Sequence, residues 1–332
     1  MRQLQLRFET QRNEVADEVS ALIAVVRPIL LATLHSLKQD VVDQAGGYEG
    51  LRLKMLPRLY RRGDGDCGIC FEYAVHDALV RSEASVVERV VTALEECRVP
   101  GQDTRSILFA AEKTGSLRLI ETARDVLTEE SSLLYGSRGR PVKLRRHIDS
   151  IATAFRRKEV RDLLPQSIGG LWKADLFLGN TDTERWVGTS VKINPSHLEA
   201  ARGLRIGIVP TAQGQNDAVR RDPQRNLVIC PLPYDGAFME VFYNAWGIVQ
   251  QFVAADAQLP PEPRLPRPLE RHVARLLVDR RDFSVLEAVD GLSALAQPEL
   301  LQTSEHSALT VDRRTAEAAV GAAVAPLPRQ TG

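Results

Sequence analysis

The chain has 332 residues, with 43 acidic side chains balancing 43 basic ones and an apolar content of 44%. That content supports one large core or two modest ones, while zero net charge excludes whole-chain steering toward nucleic acid and leaves only a local patch for that purpose. Aromatic residues at 5% advertise no stacking platform for single-stranded bases, and four cysteines in so long a chain make no disulfide framework.

The first residues, MRQLQLRFETQRNE, are polar and lack the apolar segment of a signal peptide. Residues 11–43 read as helix, with a break expected at Pro28. The most lipid-like run, ALIAVVRPILLATL at 21–34, is interrupted by Arg27 and Pro28 and is shorter than the roughly 20 residues of a bilayer span. A buried or kinked core helix is the expectation, in a soluble, cytoplasmic protein with no membrane partner. PRLYRRGDGDCG at 57–68 is turn-rich. FEYAVHDALV at 71–80 then places Phe71, Ala74, Val75, Ala78 and Leu79 on one helical face, and ASVVERVVTALEEC at 84–97 reads as a second helix. Residues 103–135 and 142–164 also read as mostly helical, divided by YGSRGRP.

The pattern changes near 168. Short alternating or apolar runs predict strands near 171–178, 185–193, 204–209 and 226–232, with a short helix, PSHLEAARG, between the second and third. A long apolar helix follows at 236–255. Helices on both sides of a mixed sheet make this an α/β arrangement. QLPPEPRLPRP at 259–268 is a stiff connector, residues 270–282 carry one more helix, and the alanine-rich last thirty residues read as a frayed tail. These shifts divide the chain into a helical N-terminal region (1–62), a first core helix (63–82), a helical insertion (83–165), an α/β core (166–256) and a proline-rich connector with a C-terminal extension (257–332).

Two charged residues stand out in the strand region. Asp175 lies in KADLFLG, an otherwise apolar strand, and Lys192 lies near the end of WVGTSVKIN, seventeen positions later. GNTDTE between them makes a turn, so a hairpin brings the two together at one sheet end. A carboxylate there needs a partner, and a lysine or a bound cation supplies one. Carboxylates holding Mg²⁺ serve phosphodiester hydrolysis, and a neighbouring lysine can orient the attacking water. The plainer alternative is a structural Asp–Lys pair. Glu72, at the start of the helix before the sheet, can point toward the same end, although a first-turn glutamate is also favoured by the helix dipole alone.

With these residues the chain resembles the PD-(D/E)xK nucleases, the restriction-endonuclease-like superfamily. The resemblance implies a mixed-sheet core flanked by helices: a helix, a three-stranded meander, a helix and a fourth strand. The meander would take its first strand from 168–171 or from the preceding region, then 173–178 and 186–192. Glu72 would be the helix acid, Asp175 the strand aspartate, and Ser190-Val191-Lys192 the last motif. The pattern departs at Ser190, where the family has a glutamate. Glu199, on PSHLEAARG, or Glu72 would then supply the missing metal ligand. The implied activity is cleavage of DNA with Mg²⁺, or Mn²⁺ in its place, in a restriction or antiviral-defence endonuclease acting as a homodimer or with a defence-system partner protein.

Residues 136–161 carry nine Lys or Arg against two acids. Arg138, Arg140, Lys143, Arg145 and Arg146 cluster about the turn, and Arg156, Arg157, Lys158 and Arg161 follow along a helix. This is a footprint for phosphate contact, against the alternative of a solvated helix face. Gln166, Ser167 and Gly170 precede the aspartate strand and are candidate substrate contacts or loop packing. His197 reads as a solvent-facing histidine, and Trp172 and Trp186 as core residues.

Three rival readings remain. RGDGDCG resembles the Asp-Gly-x-Cys of OTU-type cysteine proteases, with Cys67 as nucleophile at a helix start, but His197, His272 and His306 have no suitable strand context for the base. Cys67-x-x-Cys70 with His76 falls short of a tetrahedral zinc set. A non-catalytic DNA- or protein-binding subunit on a nuclease-like scaffold is the non-enzymatic alternative.

Overall fold

A computed structural model describes residues 2–60, 66–109, 125–134, 141–161, 163–164, 173–201, 203–212, 216–234 and 237–296. The expected C-terminal tail, beyond residue 296, lies outside them. Helix α1 (Arg2–His35) continues through Pro28. The expected break does not occur, although proline removes one donor from the helix ladder at a cost of about 3 kcal/mol. The reason is burial: Leu22, Ile23, Val25, Val26, Ile29, Leu30 and Leu34 are all enclosed, and tertiary packing of this kind outweighs local propensity. Among the described residues, Glu18–His35 is the one stretch long and apolar enough for a membrane span, and 83% of it is buried inside the fold.

Short helices α2 (Gln39–Gln44) and α3 (Leu56–Leu59) lead to α4 (Asp66–Val80) and α5 (Ala84–Glu96). The chain then enters strand β1 (Thr104–Leu108), and β2 (Ser132–Leu133) and β3 (Val142–Lys143) follow. This corrects the helical expectation at 104–108 and 132–133, while 110–124 lie outside the described residues. Thr104-Arg-Ser-Ile-Leu alternates with period two: Leu108 enters the core on one sheet face and Ile107 that on the other. Helices α6 (Leu144–Arg156) and α7 (Lys158–Arg161) are helical as expected.

The remaining strands are β4 (Leu176–Asn180), β5 (Arg185–Val191), β6 (Leu204–Thr211), β7 (Arg220–Asp222) and β8 (Leu227–Pro233). Helix α8 (Ala237–Ala254) follows, then α9 (Pro268–Asp279) and α10 (Val285–Ser293). The sheet runs β1-β4-β5-β6-β8-β7, with β2 beside the first half of β5. β1, β4 and β5 form an antiparallel meander, β6 and β8 continue parallel to β5, and β7 closes the edge antiparallel. The register between β5 and β6 shifts at Gly188, where the β5 backbone meets the Gly203 carbonyl. A Cβ on Gly188 would lie 2.6 Å from that oxygen, so only glycine allows the two strands to start this close.

Helices cover both faces. The larger core packs Leu108, Leu176, Leu178, Val187, Val191, Ile206 and Ile208 against α1, α4, α5, α8, α9 and α10. The smaller one packs Ile107, Phe177, Trp186, Val209 and Ile229 against Leu144, Ile148, Ile151 and Ala154 of α6. Trp186 is fully buried, as expected of a core residue.

The crossover helix expected at PSHLEAARG is absent. Pro195–His197 makes a single 3-10 turn, started by Asn194, whose side chain accepts from the Ser196 N–H. Leu198 then drops onto Gly207, where an added Cβ would approach to 3.0 Å, and this anchoring holds the segment extended. An isolated helix of so few residues is in any case marginal.

Candidate active site

The β4–β5 hairpin sets the first part of the site. Its register pairs Leu176 with Thr189 and Asn180 with Arg185, with the connection at 181–184. One step beyond the ladder, Asp175 faces Ser190. Its backbone N–H donates to the Thr189 carbonyl at 2.9 Å, and its own carbonyl accepts from the Phe109 N–H at 2.8 Å. Asp175 is therefore held between β5 and the residue following β1.

Its side chain is 9% exposed, yet well provided with donors. Oδ2 accepts from the Val191 N–H at 2.8 Å, from Lys192 Nζ at 2.7 Å and from Ser190 Oγ at 3.2 Å. Oδ1 accepts from none of the described residues. Lys192 Nζ also reaches Glu72 Oε1 at 3.4 Å. Glu72 comes from α4, 10% exposed at its side chain, so two enclosed carboxyl groups share one lysine at the sheet end. Burial works against the charge of Lys192, but Asp175 and then Glu72 outweigh it and hold the ammonium pKa above its ordinary value. The lysine is a fixed cation at neutral pH, not a resting general base.

Asp175, Lys192, Glu72 and Ser190 thus converge, and Glu199 does not. It is exposed and pairs with Lys173 at 2.8 Å, and that hydrogen bond draws its pKa below the usual carboxylate value. Of the two acids weighed for the place left by Ser190, Glu72 is the one beside the lysine. The reason is the missing crossover helix, which would have been needed to aim Glu199 back at the strand. Sequence reasoning missed the Val191 N–H, because a backbone donor leaves no residue-type signal. It also missed the engagement of His76, one turn after Glu72 on α4. His76 Nδ1 bonds Ser106 Oγ on β1 at 2.9 Å, and burial pushes its pKa down to about 4.

No protein-family model matches the chain, and neither does any curated protein or solved structure. The site must be judged on its own groups. Among the described residues no set of three or more His, Cys, Asp and Glu side chains is placed to hold a metal ion. Mg²⁺, however, keeps several waters and is commonly held by one or two carboxylates plus substrate phosphate. Asp175 Oδ1, with no donor among the described residues, and the Glu72 carboxylate are ligands of that hard, anionic kind. Two carboxyl groups against one ammonium also leave the cluster a formal charge of −1 when both are ionised, which a cation relieves. The residues present fit Mg²⁺.

The rival sites look different. Cys67 sits half-buried in the first turn of α4, where His76 is engaged by Ser106, while His197 and His272 are exposed. His306 lies outside the described residues. Cys70 is buried with its thiol on the Ile29 carbonyl at 3.8 Å, facing α1.

The basic stretch is partly spent on local pairs. Lys143 Nζ bonds Glu130 at 2.7 Å, and Arg145 reaches Glu129 at 3.5 Å and the Leu127 carbonyl at 3.1 Å. Arg146 and Arg157 are exposed. Arg138, Arg140, Gln166, Ser167, Gly170 and Trp172 lie outside the described residues, as do the side chains of Arg156, Lys158 and Arg161.

Proposed function

We propose that the chain is a Mg²⁺-dependent nuclease that hydrolyses phosphodiester bonds in DNA, with its catalytic centre at Asp175, Glu72 and Lys192. The observation that carries this reading is the meeting of these three side chains from a helix and two strands separated widely in sequence. The element order supports it: α4, the meander β1-β4-β5 and the parallel strand β6 follow the succession of a restriction-endonuclease-like core, with β1 as the first meander strand. The connection between β5 and β6 departs from that succession by lacking its helix.

In this reading Asp175 Oδ1 and the Glu72 carboxylate hold the cation. When bound, Mg²⁺ supplies charge for the developing phosphorane and lowers the pKa of an attacking water. The chain's own groups do the rest. Val191 N–H and Ser190 Oγ fix the Asp175 carboxylate through Oδ2, and Oδ1 accepts no hydrogen bond from the described residues. Lys192, fully protonated, orients a water against the phosphate and stabilises the negative charge gathered there. Enclosure of the carboxylates strengthens each of these interactions by lowering the local dielectric. Ser190 keeps the first position of the last motif uncharged, so the centre carries one acid fewer than the usual Glu-x-Lys arrangement.

The test is cleavage of supercoiled plasmid, linear duplex, single-stranded DNA and RNA with Mg²⁺, Mn²⁺ or EDTA. Metal-dependent cleavage of DNA is expected, abolished by Asp175→Ala and by Lys192→Ala. Cleavage that survives both substitutions, or no cleavage of any substrate with either metal, rejects the assignment. The second outcome would favour a DNA- or protein-binding scaffold, for which the lysine already bridging both carboxylates is the supporting feature.

A further inference from the structure

At the other end of the sheet, where the parallel strands β5, β6 and β8 begin, lies a cleft of about 700 Å³. Arg98, Arg185, Arg205 and Arg221 line it, with Glu96 and Asp222 as its acids. Four guanidinium groups against two carboxylates leave a formal +2. Both acids are already engaged: Glu96 accepts from Arg221 Nε at 2.7 Å, and Asp222 accepts from the Gln224 and Arg225 N–H groups at 3.0 and 3.1 Å. Arg205, half-buried, lines the cleft wall, with its Nη1 enclosed by protein and without a hydrogen-bond partner among the described residues. A planar guanidinium fork matches phosphate oxygens.

We infer that this cleft binds a small phosphate-bearing dianion, such as a phosphate monoester or a mononucleotide. The volume suits it, since ligand pockets commonly span about 300–1,000 Å³. The net charge of the lining is equal and opposite to that of a phosphate monoester at neutral pH. The site is separate from the Lys192 cluster: seven strand residues at about 3.3 Å each place Arg185 roughly 23 Å from Lys192 along β5. The inference therefore does not rest on the nuclease reading.

The experiment is calorimetric titration of the full chain, in low-salt buffer free of sulfate, with orthophosphate, pyrophosphate, AMP and a short DNA duplex. Saturable binding of AMP or pyrophosphate is expected. Arg205→Gln should weaken it by about tenfold or more, and the exposed Arg185→Ala should weaken it with the fold intact by circular dichroism. Lys192→Ala should leave it unchanged, which separates this site from the nuclease centre. Absence of saturable binding by every small anion at millimolar concentration overturns the inference. So does binding that neither arginine variant weakens, or binding of the duplex alone.

Discussion

Replacing Lys192 with methionine keeps the length and apolar stem of the side chain and removes only its charge. The change strands Asp175 and Glu72, whose side chains are 9% and 10% exposed. Breaking a fully buried pair by deleting one partner costs about 3–5 kcal/mol. Lys192 itself keeps 30% of its side chain in water, so solvent enters to screen the carboxylates, and a loss of about 2 kcal/mol is the reasonable size. Urea unfolding at neutral pH, followed by far-ultraviolet circular dichroism, measures it. Mg²⁺ should restore much of the loss, because a cation in excess over its dissociation constant by a factor of about 100 adds some 2.7 kcal/mol.

The pH dependence has a definite sign. The Lys192 pKa is raised in the folded protein. Its stabilising contribution is therefore fully present below the unfolded lysine value, near 10.4, and is lost as pH rises through the folded one. The gap between wild type and Lys192→Met should be flat from neutral pH to about 10 and should close above that. A variant within about 0.5 kcal/mol of wild type at neutral pH, with no response to Mg²⁺ in either protein, would refute the view that these three groups form one electrostatic unit.

Four further substitutions have distinct expected outcomes. Glu199→Ala removes an exposed partner of Lys173 and should leave stability within about 0.5 kcal/mol and DNA cleavage unaltered, whereas Glu72→Gln should abolish cleavage; a reversed pattern in the plasmid assay would make Glu199 the metal ligand. His76→Gln reports on the half-buried imidazole. With the folded pKa depressed to about 4, its contribution to stability is present above the unfolded value near 6.5 and is lost as pH falls toward 4, so wild type should lose stability across that window and the variant should not. Ser284→Ala removes the N-cap of α10, whose Oγ accepts from Glu287 N–H while Glu287 returns a bond to Ser284 N–H; a loss of about 1 kcal/mol in the same urea assay is expected.

Much of the sheet was legible because its signals are local. The alternation in LFLGN and RWVGTSV, and the turn between them, fix a hairpin whose register follows from which side chains must be buried. That register brings Asp175 to Lys192 without knowledge of any other element. β1 was not legible, since TRSIL sits between segments of helical composition and its pairing partner lies some seventy residues away at 176–180. Helix α10 was overlooked even though Ser284-Val-Leu-Glu287 spells a capping box. The crossover helix was expected on composition, with proline first and glycine last. The contact that decided against it, Leu198 on Gly207, is tertiary.

Glu72 marks the limit of that local logic. The helix starts at Asp66, so Glu72 lies in its second turn and not in the first turn expected, and nothing within α4 itself marks its carboxylate for the site. Its position beside Lys192 depends on how α4 lies against β1, and the His76–Ser106 bond one turn along shows where that docking is fixed. Ser190 gains its meaning from the same docking. A glutamate at position 190 would set a third carboxylate against Asp175 Oδ2, where the serine hydroxyl now donates at 3.2 Å. With Glu72 already at Lys192, that third acid would be stable only beside a permanently bound cation. The serine hydroxyl lets the cluster close around its own lysine, so Ser190 and the reach of the α4 glutamate are two parts of one electrostatic solution.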